Sequence, residues 1–169
     1  QYAYKLDSEI NTELVGEVRE YAGKLKNTDI REVLEGKLHS AGALLKGSPA
    51  VDLELLAPDG KTARLSDYKG KVIYVDLWAT WCGPCIQESP KFHELAKKYR
   101  NDNIVFLAVS TDTEKKSWLS FIEGKEAGIP EYNCTDTKNL NEGWQIKYIP
   151  RFLLIDENFK IIDAYAPRP

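Results

Sequence analysis

Methionine is absent from the 169 residues, cysteine occurs three times and histidine twice. The missing methionine, with glutamine at position 1, is what a processed mature protein or a piece of a longer one would show; a cleaved export signal would leave no trace. No stretch approaches the roughly 18 consecutive apolar residues that span a bilayer, so the chain reads as soluble. Three cysteines cannot build a disulfide framework, because one bridge uses two and leaves the third single, which excludes a stapled mini-domain. Lys and Arg total 23 against 26 Asp and Glu, for a net charge of −3. No basic stripe is visible, which argues against a nucleic-acid partner. What remains, 43% hydrophobic and 29% charged, is ordinary globular composition, long enough for one main core and an appendage.

The appendage is at the N-terminal end. From Ser8, the residues Ile10, Leu14, Val18, Tyr21 and Leu25 recur at three- and four-residue steps, as on one face of a helix. Thr28 is placed to cap a second helix whose Ile30, Val33, Leu34, Leu38, Ala41, Leu44 and Leu45 share a side. Gly36 and Gly42 each weaken it by about 1 kcal/mol relative to Ala. An αα-hairpin over residues 1–46 is therefore expected, with Gly47-Ser48-Pro49 as the boundary to a second domain over 47–169. There the apolar segments shorten. Residues 51–56 and 61–65 flank Pro58-Asp59-Gly60 as a hairpin. Strand-like runs at 71–78, 103–110, 152–156 and 160–165 then alternate with helix-like runs at 84–99, 113–127 and 139–145. This alternation predicts a layered α/β fold with a mixed sheet.

Trp81-Cys82-Gly83-Pro84-Cys85 stands where the apolar run Lys71 to Trp78 passes into the helix-like segment. In the first turn of a helix the backbone N–H groups lack intrahelical partners, and together with the macrodipole they favour an anion. This position and the Cys-x-x-Cys spacing lower a thiol pKa from about 8.5 to as little as about 3.5. Cys82 is thus the candidate nucleophile, expected to be exposed, and Cys85, one turn further in, the resolving cysteine. Pro84 suits a first-turn position, where its missing N–H is no loss. Asp76 is an acid inside an apolar run. Burial would raise its pKa toward the range useful for a general base; a strand-end carboxylate in water is the competing reading. Glu88 lies three residues past Cys85 on the same helical face, either as a second carboxylate near the thiol or as a solvated first-turn acid. If both acids approach Cys85, their titrations should be linked.

The string Val75 to Cys85 closely resembles the active site of the thioredoxin superfamily. The flanking Leu65 to Val72 and Tyr148-Ile149-Pro150-Arg151-Phe152-Leu153-Leu154-Ile155-Asp156 narrow the resemblance to the TlpA/ResA type of thiol-disulfide oxidoreductase, over about Gly47 to Pro169. That implies a thioredoxin-like fold and a redox-active disulfide, Cys82–Cys85, with no further cofactor and no metal. It implies a buried acid at Asp76 and a glutamate like Glu88 near the resolving cysteine. It implies a cis proline at Pro150, leaving the Ile149 backbone free to pair with an extended substrate. Trp81, Gly83, Pro84, Ile149 and Pro150 are then the expected substrate contacts; Tyr148 and Arg151 flank them, Arg151 equally readable as a solvated charge. The partners implied are protein disulfides and an upstream electron donor, a membrane thiol-disulfide carrier, in the periplasm or cell envelope of a bacterium. The Gly-Pro pair between the cysteines points to a reductant. One departure is that the family's final helix after the last strand is missing here: either the sequence is a piece of a longer one, or the N-terminal helical pair covers that face.

Three other readings compete. A peroxiredoxin-like peroxidase needs Pro-x-x-x-Thr-x-x-Cys, but Leu77-Trp78-Ala79-Thr80-Trp81-Cys82 lacks the proline and puts Thr80 two positions before the cysteine rather than three. An adaptor would use the N-terminal helices to bind a partner or a second copy. A metal site from Cys82, Cys85, Cys134 and His93 or His39 has ligands of the right type, but calls for neither Asp76 nor Ile149-Pro150. Cys134 by itself is expected to be a buried small hydrophobe; Trp78, Trp118, Phe121 and Trp144 are expected to pack.

Overall fold

The computed structural model describes residues 12–125 and 128–169. Ser8 and Ile10 of the first expected helix, and Ala127 at the end of the helix expected over 113–127, lie outside the described residues. Helix α1 (Thr12–Lys24) and helix α2 (Thr28–Ala43) form the N-terminal pair. The cap of α2 is Asn27, whose side chain accepts the Ile30 N–H at 3.0 Å, and not Thr28, which is the first helical residue. Either side chain can cap, so the sequence misplaces the cap by one position. Leu14, Val15, Val18, Leu34, Leu38 and Ala41 bury one another in a cluster of their own. Tyr21, Ile30 and Val33 are exposed, so the apolar side of each helix is narrower than the sequence spacing suggests.

The main sheet is built from β1 (Glu54–Leu56), β2 (Thr62–Arg64), β3 (Val72–Trp78), β4 (Ile104–Ser110), β5 (Glu131–Asn133), β6 (Arg151–Ile155) and β7 (Ile161–Asp163). Among the described residues their order is β2-β1-β5-β4-β3-β6-β7. Strands β3, β4 and β5 run parallel, and the other pairings are antiparallel. Helix α3 (Gly83–Lys98) follows β3, and α4 (Lys115–Ile122) follows β4. Strand β5 escapes the sequence reading because three residues carrying Glu, Tyr and Asn have no apolar alternation to reveal them. The segment 139–145, expected to be helical, closes only one wide turn over Asn139–Gly143, and Gln145 takes φ +52° in the left-handed region, where no helix continues.

The central strands are buried on both faces, which is why β3 reads as a near-continuous apolar run. Ile73, Val75 and Leu77 face a core with Leu107, Leu153 and Trp144. Tyr74 and Trp78 face the other core, with Phe92 of α3 and Trp118 of α4. There Phe92 meets Tyr74 and Phe106 edge-on, ring centroids 5.2 and 5.3 Å apart. Residues 164–168 extend across this second face. Ala166 donates to the Phe152 carbonyl at 3.0 Å, the Tyr74 hydroxyl donates to the Pro167 carbonyl, and Arg168 pairs with Glu88. The N-terminal helical pair does not cover this face: its buried side chains pack on each other. It joins the other core through Leu44 and through Gln145, whose amide donates to the Ser40 carbonyl.

Trp144 is fully buried and its indole N–H donates to the Val51 carbonyl at 2.9 Å, tying the turn over 139–143 to the segment before β1. Trp144→Ala should destabilise the fold by about 3–5 kcal/mol, measured by chemical denaturation.

Candidate active site

Cys82 is the N-cap of α3. Its backbone is extended, φ −89° and ψ 92°, and its sulfur accepts the N–H of Cys85 at 3.3 Å. Glycine and proline follow as the first two helical residues, and Pro90 is accommodated inside the helix, which continues to Lys98. Cys82 and Cys85 are joined by a disulfide. The expectation of an exposed Cys82 is not met in this state, because the sulfur turned toward Cys85 leaves the residue only 5% exposed, against 1% for Cys85. The adjacent Trp81 takes the outward place at 72%.

The loop before Cys82 is fixed by Asp112, just beyond β4. Its carboxylate accepts the backbone N–H of Thr80 at 2.9 Å, the Thr80 hydroxyl at 2.7 Å and the Ser110 hydroxyl at 2.7 Å. Asn133 of β5 donates to the Asp112 carbonyl at 2.9 Å. The sequence reading misses Asp112, since nothing local distinguishes it from an ordinary strand-end aspartate.

Asp76 is buried at 3% exposure, and its Oδ1 is sealed from solvent with no hydrogen-bond partner. A solvated strand-end carboxylate is thereby excluded. Its pKa is pushed up to about 8, chiefly by burial and then by the negative charges of Glu131 and Glu88. Glu88 keeps Oε1 on the Arg168 guanidinium at 2.7 Å while its Oε2 is buried without a partner, so it is not a solvated first-turn acid either. Glu131, which the sequence reading misses, is raised to about 7 by burial, with Lys125 opposing. It could not be found without the register. Asp76 pairs with Ala108, and Ala108 with Glu131, so the two acids share one row and one face across three strands.

The bond between Ile149 and Pro150 is cis. Next to it Tyr148 is 82% exposed, and a groove of about 450 Å³ runs between Trp81, Tyr148, Ile149, Leu140 and Ile146. Arg151 is not a solvated charge: it donates to the Ala164 carbonyl at 2.6 Å and stacks 3.2 Å from the Tyr165 ring, tying β6 to the residues after β7. Cys134 is buried in the core with Leu53 and Trp144, on the opposite face of the sheet from the Cys82–Cys85 cluster, and burial raises its thiol to about 11. The three cysteines therefore cannot share a metal, and among the described residues no cluster of His, Cys, Asp and Glu suited to a metal is present.

The Redoxin family profile matches residues 45–168. Thiol-disulfide oxidoreductase ResA of Geobacillus thermodenitrificans is 33% identical over 119 residues, spanning 70% of this chain and 68% of the relative. A candidate thiol-disulfide oxidoreductase from Bacteroides vulgatus, solved by crystallography, is 57% identical and superposes with a TM-score of 0.73 over 75% of this chain and 89% of that one. The exposed lipoprotein thioredoxin of Streptococcus pneumoniae is 33% identical, with a TM-score of 0.57 over 66% and 86% of the two chains. A disulfide at the N-terminus of a helix that packs on a mixed sheet, in a chain similar to these thiol-disulfide oxidoreductases, defines a thioredoxin-like thiol-disulfide oxidoreductase. The chain belongs to the Redoxin family.

Asp76 should make stability fall as pH rises. Its folded pKa, about 8, lies above the ordinary 3.8, so between those values the folded state holds a proton that the unfolded state has released. Stabilisation is complete at acid pH and is lost toward pH 8, with a limiting slope of about 1.4 kcal/mol per pH unit. Denaturant unfolding of the oxidised protein at pH 5 and pH 8 should show this decline, and Asp76→Asn should flatten it.

Proposed function

We propose that the enzyme reduces protein disulfides, with Cys82 attacking and Cys85 resolving. The observation that carries this reading is the sulfur of Cys82 at the positive end of α3, accepting the Cys85 N–H, with the buried carboxyl of Asp76 on the strand leading into the site. In the reduced enzyme the Cys82 thiolate attacks one sulfur of a substrate disulfide, forming a mixed disulfide and releasing the other sulfur as a thiolate. Cys85 then gives its proton to the Asp76 carboxylate and attacks the Cys82 sulfur. The substrate's second thiolate departs, and the Cys82–Cys85 disulfide remains. Glu88, with one oxygen buried and unpartnered, acts beside Asp76 on the same proton.

Trp81 and the groove beneath Tyr148 and Ile149 form the docking surface, with Gly83, Pro84 and Pro150 bordering the disulfide. Support comes from the exposure of the two aromatics and from the Ile149 backbone groups, which enter no strand ladder among the described residues. An extended segment of a partner protein fits such a surface. Residues 1–46 are read as a separate helical module, with the exposed Tyr21, Ile30 and Val33 as its candidate contact with a second copy. By likeness to the exposed lipoprotein thioredoxin, the enzyme is assigned to the cell envelope, where a membrane thiol-disulfide carrier would supply its electrons. The peroxidase alternative gains nothing from the site, since the second cysteine stands within the same turn as the first.

Cys85→Ser should stall the mixed disulfide on Cys82 and trap the substrate covalently, recoverable by non-reducing electrophoresis and mass spectrometry; trapping through Cys134 would name a different nucleophile. The Gly83-Pro84 pair predicts a reduction potential nearer the roughly −270 mV of thioredoxin than the roughly −120 mV of a strong oxidant. Equilibration with glutathione buffers measures it, and a value above about −180 mV would overturn the assignment as a reductant.

A further inference from the structure

Between α3 and α4 lies a cavity of about 1070 Å³ that reaches the sheet behind the disulfide. Its floor is Asp76, Ala108 and Glu131, one residue from each of three adjacent parallel strands. The middle residue is a methyl group, so nothing bulky separates the two acids. Asp76 Oδ1 and Glu131 Oε2 are both buried without hydrogen-bond partners. Glu131 Oε1 lies 3.8 Å from His93 Nε2, and His93 also lines the cavity. An unpartnered buried carboxyl oxygen is a costly feature to keep. Two of them beside one cavity wide enough for water mark a path rather than a packing device.

We propose that Glu131 and His93 pass the proton held by Asp76 to solvent through this cavity, freeing Asp76 to take up the Cys85 proton when the mixed disulfide is resolved. The inference rests on Asp76 being the base for Cys85. The balance is simple: Asp76 gives its proton to Glu131, from which His93 or cavity water carries it out, and the ionised Asp76 then gains the proton that Cys85 loses as it attacks the mixed disulfide. Glu131 is thus a positioning residue for the proton, with no contact to substrate. Burial brings Asp76 and Glu131 into neighbouring pH ranges, about 8 and about 7, so a proton on one is close in free energy to a proton on the other. The other charges that face this pair are Glu88 of α3 on Asp76, and Lys125 beyond α4 on Glu131. Burial, then Lys97 and Lys125, hold His93 below its ordinary value, which favours its passing a proton on to solvent. Lys115, Lys116 and Glu123 stand at the cavity wall on the side of α4.

Reduced enzyme mixed with 5,5′-dithiobis(2-nitrobenzoate) releases one coloured thiolate when Cys82 attacks and a second when Cys85 resolves, so one trace separates the two steps. Glu131→Gln, nearly isosteric, should leave the first release unchanged, which also reports a folded site. It should slow the second release at least fivefold near pH 7 and move its inflection to lower pH, since a negative neighbour of Asp76 is gone. Added imidazole, a small proton carrier, should restore the rate in Glu131→Gln but not in Asp76→Asn. An unchanged second release in Asp76→Asn would remove the base itself and the relay with it. A slowed second release in Asp76→Asn with Glu131→Gln unaffected in rate and inflection would overturn the relay alone, as would a Glu131→Gln defect that imidazole does not relieve.

Discussion

The N–H of Cys85 points at the sulfur of Cys82, and the proposed reaction depends on that contact. A thiol in water is mostly protonated at neutral pH; a sulfur at the open end of a helix meets unsatisfied N–H groups and the positive end of the macrodipole, and its ionised form is favoured. Everything around the contact serves to hold it. Strand β3, buried on both faces, delivers the chain to the top of the sheet. Asp112 fixes Thr80 and with it the turn into α3. Phe92 anchors the helix against Tyr74 and Phe106. A cap of this kind is worth only about 1 kcal/mol as a hydrogen bond, but in the proposed reaction it favours the ionised form of the attacking sulfur.

Behind the thiols the sheet carries a second constraint, the burial of acids. Asp76, Glu88 and Glu131 each keep an oxygen without a partner in the core side of the site. A buried unpaired carboxylate is destabilising, and the chain tolerates it by holding the proton instead, as the raised values of Asp76 and Glu131 reflect. Stability is thus surrendered at the buried acids beside the disulfide, and recovered in the aromatic packing next to them and in the aliphatic core across the sheet.

Much of this was legible in the order of residues. The apolar run from Val72 to Trp78, the Cys-x-x-Cys after it and the helical residues beyond specify strand, turn and helix locally, because each rests on neighbours within a few positions. Asp76 was visible for the same reason, as an acid out of place in an apolar run. Glu131, Asp112 and the groove beneath Tyr148 were not. Strand β5 is three residues long and mostly polar, and Asp112 acquires its role only from Thr80, 32 positions earlier. Arg151, open in the sequence to a substrate contact or a solvated charge, has its guanidinium against Tyr165 and the Ala164 carbonyl.

The sequence by itself determined that a dithiol sits at the start of a helix and that an acid stands in the strand before it, since hydrophobic period, turn residues and cysteine spacing act over short distances. Only the tertiary structure decided which other groups meet them. Parallel pairing of β3, β4 and β5 sets Asp76 and Glu131 in one row with Ala108 between, and the packing of α3 and α4 leaves that row open to a cavity. Register between strands is a global property of the sheet, fixed by which faces are buried and not by any one segment, so no local reading of residues 131–133 could have placed that acid beside the site.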